Sequence, residues 1–168
     1  MGLCVGHPLD LVGNPMIRQG KAGHPVTEII MHTVDTPPDW RHNSTSHERW
    51  AEVRRWHVEE RKWRTWGYHY GIDRDGTLLT GRPVTEIGAG VEGRNRGVIH
   101  IALFGGKGGK STDPFRKHYT EAQDKAARAL IANLRKQIGK AVPVNGHNQY
   151  AAKACPCFSA PKWYSGVY

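Results

Sequence analysis

Hydrophobic positions fall into short runs whose spacing predicts the strands. Residues 26–34 and 97–104 are almost continuously apolar or β-branched, which is typical of buried strands. Residues 67–72 and 77–80 flank an Asp-Gly pair at 75–76, and such a pair favours a tight turn between two antiparallel strands. Residues 142–144 predict a short last strand.

Two segments have the periodicity of amphipathic helices. Each begins with the spacing of a capping box, in which a threonine precedes a glutamate or glutamine by three residues. These pairs are Thr45 with Glu48 and Thr120 with Gln123. The first helix is predicted over about residues 45–63, and the second over about residues 120–138 with Gly139 at its C′ position.

The order of these elements predicts an α/β fold: a mixed central β-sheet of about five strands with flanking helices. A chain of 168 residues is long enough for one domain and short for two. Residues 1–25 are rich in glycine and proline and have no sustained period, so we expect an irregular N-terminal arm there. Residues 26–168 would then form the folded domain.

The chain shows no sign of membrane insertion or secretion. No stretch approaches the ~20 consecutive apolar residues that a membrane-spanning helix needs. Residues 1–15 lack a basic n-region, and glycine, proline and aspartate interrupt their apolar positions, so they do not predict a secretory signal. We therefore expect the protein to accumulate in the cytoplasm where it is made.

The charge is strongly positive, with 24 Lys and Arg against 15 Asp and Glu, a formal net charge of +9. Such a charge attracts polyanions: nucleic acid, an anionic membrane or the cell wall. The Trp- and Arg-rich residues 49–66 could bind nucleic acid by phosphate contacts and base stacking. The helical spacing of Trp50, Val53 and Trp56 favours an amphipathic helix with solvated arginines instead, so no nucleic-acid partner is expected.

One glycine motif lacks the flanking strand and helix that its usual function requires. Gly88, Gly90 and Gly93 satisfy G-x-G-x-x-G, the pattern of a dinucleotide-binding turn. No convincing strand precedes it, however, and no helix opens behind it. The motif therefore does not indicate a dinucleotide site, and its glycines remain without an assigned role.

A dispersed set of nitrogen and sulfur donors is a better candidate for chemistry. His32 lies near the end of the first strand, His147 follows the last strand, and Cys155 comes eight residues later. Imidazole and thiolate are zinc ligands, and three ligands leave a position open for catalysis. On spacing alone, each histidine is more often a satisfied loop residue than a ligand, and the cysteine is most often a small buried apolar residue. Three cysteines in all, with Cys4 and Cys157, are too few for a disulfide framework.

Three segments together resemble the zinc N-acetylmuramoyl-L-alanine amidases of tailed phages and the related peptidoglycan recognition proteins. They are MHTVDTP, GYHYGIDRDGTLLTGRP and GHNQYAAKACPCF, and the resemblance covers about residues 26–164. The most specific piece is H-x5-K-x-C at His147, Lys153 and Cys155, followed by Pro156 and Phe158.

The resemblance implies one zinc ion on His32, His147 and Cys155, with Tyr68 and Lys153 as catalytic residues. The alternatives for the last two are a packed aromatic ring and a solvated cation. It further implies an endolysin that cleaves the amide between N-acetylmuramic acid and L-alanine in peptidoglycan, reaching the wall after membrane permeabilisation. Its positive charge would aid transient contact with an anionic envelope, and we expect a monomer. A recognition protein that binds peptidoglycan without cleaving it is the alternative.

Two residues depart from the family pattern. His100 occupies a strand position where a small residue would be usual, and it is either a core histidine or a pocket residue. Cys157 is either a packing residue or an alternative thiol. The pattern also has no place for residues 1–25.

Overall fold

The computed structural model describes residues 17–166. The strands in this range are β1 (Arg18–Gln19), β2 (His24–Pro25), β3 (Glu28–Thr33), β4 (Tyr70–Ile72), β5 (Leu78–Thr80), β6 (Val98–Leu103) and β7 (Val144–Gly146). The α-helices are α1 (Ser46–Arg55), α2 (Phe115–His118), α3 (Glu121–Ile138) and α4 (Ala160–Tyr164). A π-helical turn covers Trp56–Glu60, and a 3-10 turn covers His147–Gln149.

Five strands form one mixed sheet in the order β5-β4-β6-β3-β7, which confirms the predicted fold class. The neighbours β3, β6 and β7 are parallel, β4 is parallel to β6, and β5 is antiparallel to β4. The last strand begins two residues later than predicted. Its ladder starts where Ile29 N–H bonds the carbonyl of Pro143, and it continues through Val144 to Gly146.

The two faces of the sheet have different roles because successive side chains of a strand point to opposite faces. Ile29 and Met31 of β3 pack with alternate residues of β6 and with α3 in the main core. On the opposite face, Ile30 and His32 lie beside His100 and Ala102 of β6. The face away from α3 is therefore the one that carries polar chemistry.

Both capping boxes form as predicted. Thr45 Oγ1 accepts the Glu48 N–H and Thr120 Oγ1 accepts the Gln123 N–H, each at 3.1 Å. Gly139 caps the C-terminal end of helix α3 with a left-handed φ of 75°. Helix α1 is shorter than predicted, because regular α-helical bonding stops at Arg55 and the π-helical turn follows. Within residues 17–166, no helix has both the length and the apolar character needed to cross a membrane.

The expectation of an irregular arm does not hold for residues 18–25, where β1 and β2 pair in an antiparallel hairpin. Gly20 and Gly23 have positive φ in the turn, so the glycines that suggested irregularity close the hairpin. The amide of buried Gln19 then bonds the backbone around the start of β6: it donates to Val98 O at 2.8 Å and accepts from Gly97 N at 2.9 Å. Residues 1–16 of the predicted arm lie outside the described residues.

Candidate active site

The three predicted metal ligands meet at one end of the parallel strands of the sheet. His32 is the penultimate residue of β3, and His147 directly follows β7, so the parallel pairing of these strands brings both side chains to the same end. Cys155 lies on the loop after β7. One donor atom from each of the three side chains lies within 4.8 Å of the others. The Cys155 Sγ is 3.8 Å from His32 Nδ1 and accepts the Thr33 N–H at 3.2 Å.

The electrostatics of this cluster suit a divalent cation. Burial, reinforced by the neighbouring histidines, lowers the pKa of His32 well below its usual value, so at neutral pH its imidazole is neutral and has a free lone pair. Burial raises the pKa of the Cys155 thiol to about 12. A thiolate at this position therefore needs a cation beside it. Two imidazoles and one thiolate form a metal-binding set whose chemistry fits zinc.

The two predicted catalytic residues lie in the same groove. Tyr68, just before β4, has its ring centroid 5.0 Å from that of His32, and burial raises the pKa of its phenol. The exposed Lys153 lines the groove with Tyr68, His147 and Cys155. The pKa of His147 is lowered by partial burial and then by the charge of Lys153, whose side chain lines the same groove. All five predicted site residues thus lie together, and their roles stay predictions.

His100 lies directly behind His32. It is fully buried, and its Nδ1 is 2.9 Å from His32 Nε2. The ring of His69 stacks on the His100 ring at 5.7 Å with an interplanar angle of 3°. His69 Nδ1 accepts the His100 N–H and its Nε2 donates to the Glu86 carbonyl. His100 is therefore a buried residue that backs the metal-binding set.

Sequence reasoning missed His57 as part of the groove wall. It is buried, its Nδ1 accepts the Gly67 N–H at 2.9 Å, and its ring meets that of Tyr68 edge-on at 5.2 Å. Burial, with smaller contributions from Arg61 and Arg82, lowers the pKa of His57 to about 4. Its one available sequence signal is its position four residues after Val53, on the buried face of the first predicted helix.

Cys157 is a packing residue. Its side chain is buried, and its Sγ donates to the carbonyl of Gly106 at 3.3 Å. A Cβ added to Gly109 would lie 2.6 Å from the Cys157 Cβ, so the thiol fills the space beneath the glycine-rich loop. Of the two cysteines near the site, Cys155 is the one that joins the histidines.

Comparison with known proteins decides the family. The sequence profile of the N-acetylmuramoyl-L-alanine amidase family matches residues 22–158. This chain belongs to that family. The amidase also resembles phage endolysins in sequence. The endolysin of Klebsiella phage KP32 is 37% identical over 113 residues, which are 67% of this chain and 72% of the phage protein. The endolysin of Escherichia phage T7 is 36% identical with the same coverage.

Solved structures share the fold of this amidase. Drosophila PGRP-LB superposes with a TM-score of 0.67 at 27% identity, covering 85% of this chain and 81% of that one. The endolysin N-acetylmuramoyl-L-alanine amidase LysCS from Clostridium intestinale gives a TM-score of 0.66 at 22% identity, covering 86% and 84%. The predicted resemblance to phage amidases and peptidoglycan recognition proteins is thereby confirmed.

Proposed function

We propose that this amidase is a zinc-dependent endolysin of phage or prophage origin that cleaves the amide between N-acetylmuramic acid and L-alanine in peptidoglycan. The observation that carries the proposal is the convergence of His32, His147 and Cys155 in one groove with Tyr68 and Lys153. The family match and the phage relatives support the same reaction. The protein would act at the cell wall once the cytoplasmic membrane has been permeabilised.

The three ligands would hold one zinc ion at the floor of the groove. When bound there, zinc supplies Lewis acidity at the position that the three protein donors leave open. His32 is held on strand β3 and His147 directly after β7, and the Thr33 N–H fixes the direction of the Cys155 sulfur. The protein thus needs little rearrangement to take up the ion.

Tyr68 and Lys153 have different roles in this proposal. Burial raises the pKa of the Tyr68 phenol, and its ring lies 5.0 Å from that of His32, so in this proposal the phenol orients the attacking water by hydrogen bonding. The Lys153 ammonium group stabilises the negative charge that develops on the carbonyl oxygen. Lys153 and Arg61 also make the groove cationic, which suits the carboxylates of a peptidoglycan stem peptide.

Substitutions separate metal binding from catalysis. We expect His32→Ala and Cys155→Ser to lose both zinc and activity, because each removes one of three donors. Lys153→Ala should keep zinc and lower the rate of cleavage by about 10²- to 10³-fold, the usual loss when one charge-stabilising donor is removed. Zinc content by elemental analysis and turbidity loss of isolated walls are the two measurements.

The exposed Lys140, just beyond α3, provides the matched control. Lys140→Ala removes the same charge from outside the groove and should retain wild-type cleavage. Equal activity of Lys153→Ala and Lys140→Ala would remove Lys153 from the mechanism, and wall cleavage by a protein freed of zinc would contradict the metal's role.

A further inference from the structure

His32 and His100 share one hydrogen bond in the interior of the sheet. They lie on neighbouring parallel strands, β3 and β6, and point to the same face. Their rings are both fully buried, and His32 Nε2 is 2.9 Å from His100 Nδ1. Two neutral imidazoles at this distance share a single proton, so one nitrogen donates and the other accepts.

The direction of this hydrogen bond determines whether His32 can bind a metal. His32 Nδ1 is the nitrogen that faces Cys155 Sγ, at 3.8 Å. A neutral imidazole that offers the Nδ1 lone pair has its hydrogen on Nε2, and that hydrogen points at His100 Nδ1. In the reverse arrangement His100 is the donor, and the hydrogen on His32 moves to Nδ1, where it blocks the metal-binding set.

One nitrogen of His100 has no partner in either arrangement. Its Nε2 is buried without a hydrogen-bond partner among residues 17–166, and in the binding-competent arrangement, where Nδ1 accepts, this atom carries the hydrogen. Unpaired buried polar atoms are rare and unfavourable, so a residue chosen only to fill the core would not present one. The imidazole at this position is better explained by what its other nitrogen does.

Two glycines make room for the ring. A Cβ at Gly90 would lie 2.5 Å from His100 Nδ1, and one at Gly88 would lie 2.6 Å from His100 Cδ2. Both distances are too short for any side chain, so the G-x-G at 88–90 fits the space that the His100 ring occupies. The glycine motif that failed as a dinucleotide signature thus has a structural use beside the metal-binding set.

We propose that His100 is a positioning residue that accepts the Nε2 hydrogen of His32 and so holds His32 with its Nδ1 lone pair toward His147 and Cys155. This inference rests on the proposed zinc site. A partner of this kind fixes the tautomer and orientation of a ligand histidine and increases its basicity.

The test compares the zinc affinities of wild type, His100→Asn and His100→Leu, measured by competition with a chromophoric chelator. Asparagine and leucine have nearly the same shape, but only asparagine has an acceptor near the position of the imidazole Nδ1. We expect His100→Leu to bind zinc about 10- to 100-fold more weakly and His100→Asn to remain within about threefold of wild type. Thermal unfolding of the metal-free proteins provides the structural readout, and both variants should remain folded at the temperature of the zinc measurement.

Equal affinities of the two variants, whether both weakened or both unchanged, would overturn the proposal, because packing alone would then account for His100. A wild-type protein that takes up no zinc would instead contradict the metal site itself, and with it this inference. The two failures are therefore distinguishable before any activity is measured.

A second measurement needs no substitution and stands if His100→Leu fails to fold. Long-range ¹H–¹⁵N spectra of the zinc-loaded wild-type protein report which ring nitrogen of each histidine is protonated. His100 should show hydrogen on Nε2 and a bare Nδ1. Hydrogen on the Nδ1 of His100 would overturn the proposal.

Discussion

At the residue scale, the fold keeps the buried histidines in one protonation state, the neutral imidazole. Burial is the first cause in each case: it lowers the pKa of His57 and His69 to about 4 and holds that of His32 and His100 well below its usual value. These side chains are therefore lone-pair donors and acceptors at neutral pH rather than charges. The candidate metal-binding set could be named from sequence, because the resemblance rests on local motifs, and its role stays a prediction. The role of His100 could not, because its contact with His32 spans 68 residues and exists only once β3 and β6 pair.

The pKa of His57 predicts a pH dependence of folding. In the unfolded chain this imidazole takes a proton near pH 6.5, whereas the folded protein resists protonation down to about pH 4. The free energy of unfolding should therefore fall as the pH drops through this window, by up to about 1.4 kcal/mol per pH unit from this group. His57→Asn keeps an acceptor for the Gly67 N–H but cannot titrate, so its slope should be shallower by up to that amount.

Denaturant unfolding of metal-free wild type and His57→Asn between pH 4.5 and 7 would check this dependence, with data above pH 7 reporting the purely structural cost of the change. Identical slopes for the two proteins would show that His57 is not kept neutral by the fold.

At the scale of secondary-structure elements, the starts of both helices could be predicted, because a capping box is a local pattern. Both boxes form. The π-helical turn after α1 was not predictable, since apolar spacing does not reveal where Arg61 N–H bonds Trp56 O five residues back. The hairpin at residues 18–25 was missed for a related reason. Residues 18–25 have no hydrophobic period, and the bond from Gln19 to the distant β6 backbone does not show in the local sequence.

The two capping threonines should differ in their contribution to stability. Thr120 caps α3 and also donates to the carbonyl of Arg74 at 2.6 Å, whereas Thr45 is an exposed cap. Thr120→Ala should lower the free energy of unfolding by about 1–2 kcal/mol and Thr45→Ala by about 0.5–1 kcal/mol, with Thr120→Ser restoring most of the loss. Urea unfolding measures all three. A loss at Thr45 equal to that at Thr120 would show that the bond to Arg74 adds nothing.

At the scale of the whole molecule, one face of the sheet contributes to stability and the other carries the candidate site. One face packs on α3 in the main core, and the other carries the histidine cluster at the ends of the parallel strands. The order of elements along the chain predicted the strand number, but not that β3 lies between β6 and β7. That order arises from pairing between distant segments. It determines which residues meet, so the site could be assembled from sequence only through its resemblance to a family.

The net charge of +9 predicts salt-sensitive adsorption to the envelope. Raising the ionic strength from about 0.05 to about 0.5 M shortens the Debye length and should weaken binding of the inactive His32→Ala protein to isolated walls in a pelleting assay. Cleavage of a small, uncharged muramoyl-peptide analogue by the wild type should change far less, since it needs no long-range attraction. Wall binding that is indifferent to salt would show that adsorption depends on short-range contacts instead.

Digestion of purified peptidoglycan, before and after zinc chelation and again after zinc is restored, tests the proposed reaction. Mass spectrometry of the released fragments should find intact stem peptides that begin with a free L-alanine amine. They should appear with zinc, disappear with the chelator and return when zinc is added. Zinc-loaded protein that binds peptidoglycan but releases no such peptides would contradict the account and identify the protein as a peptidoglycan-binding module.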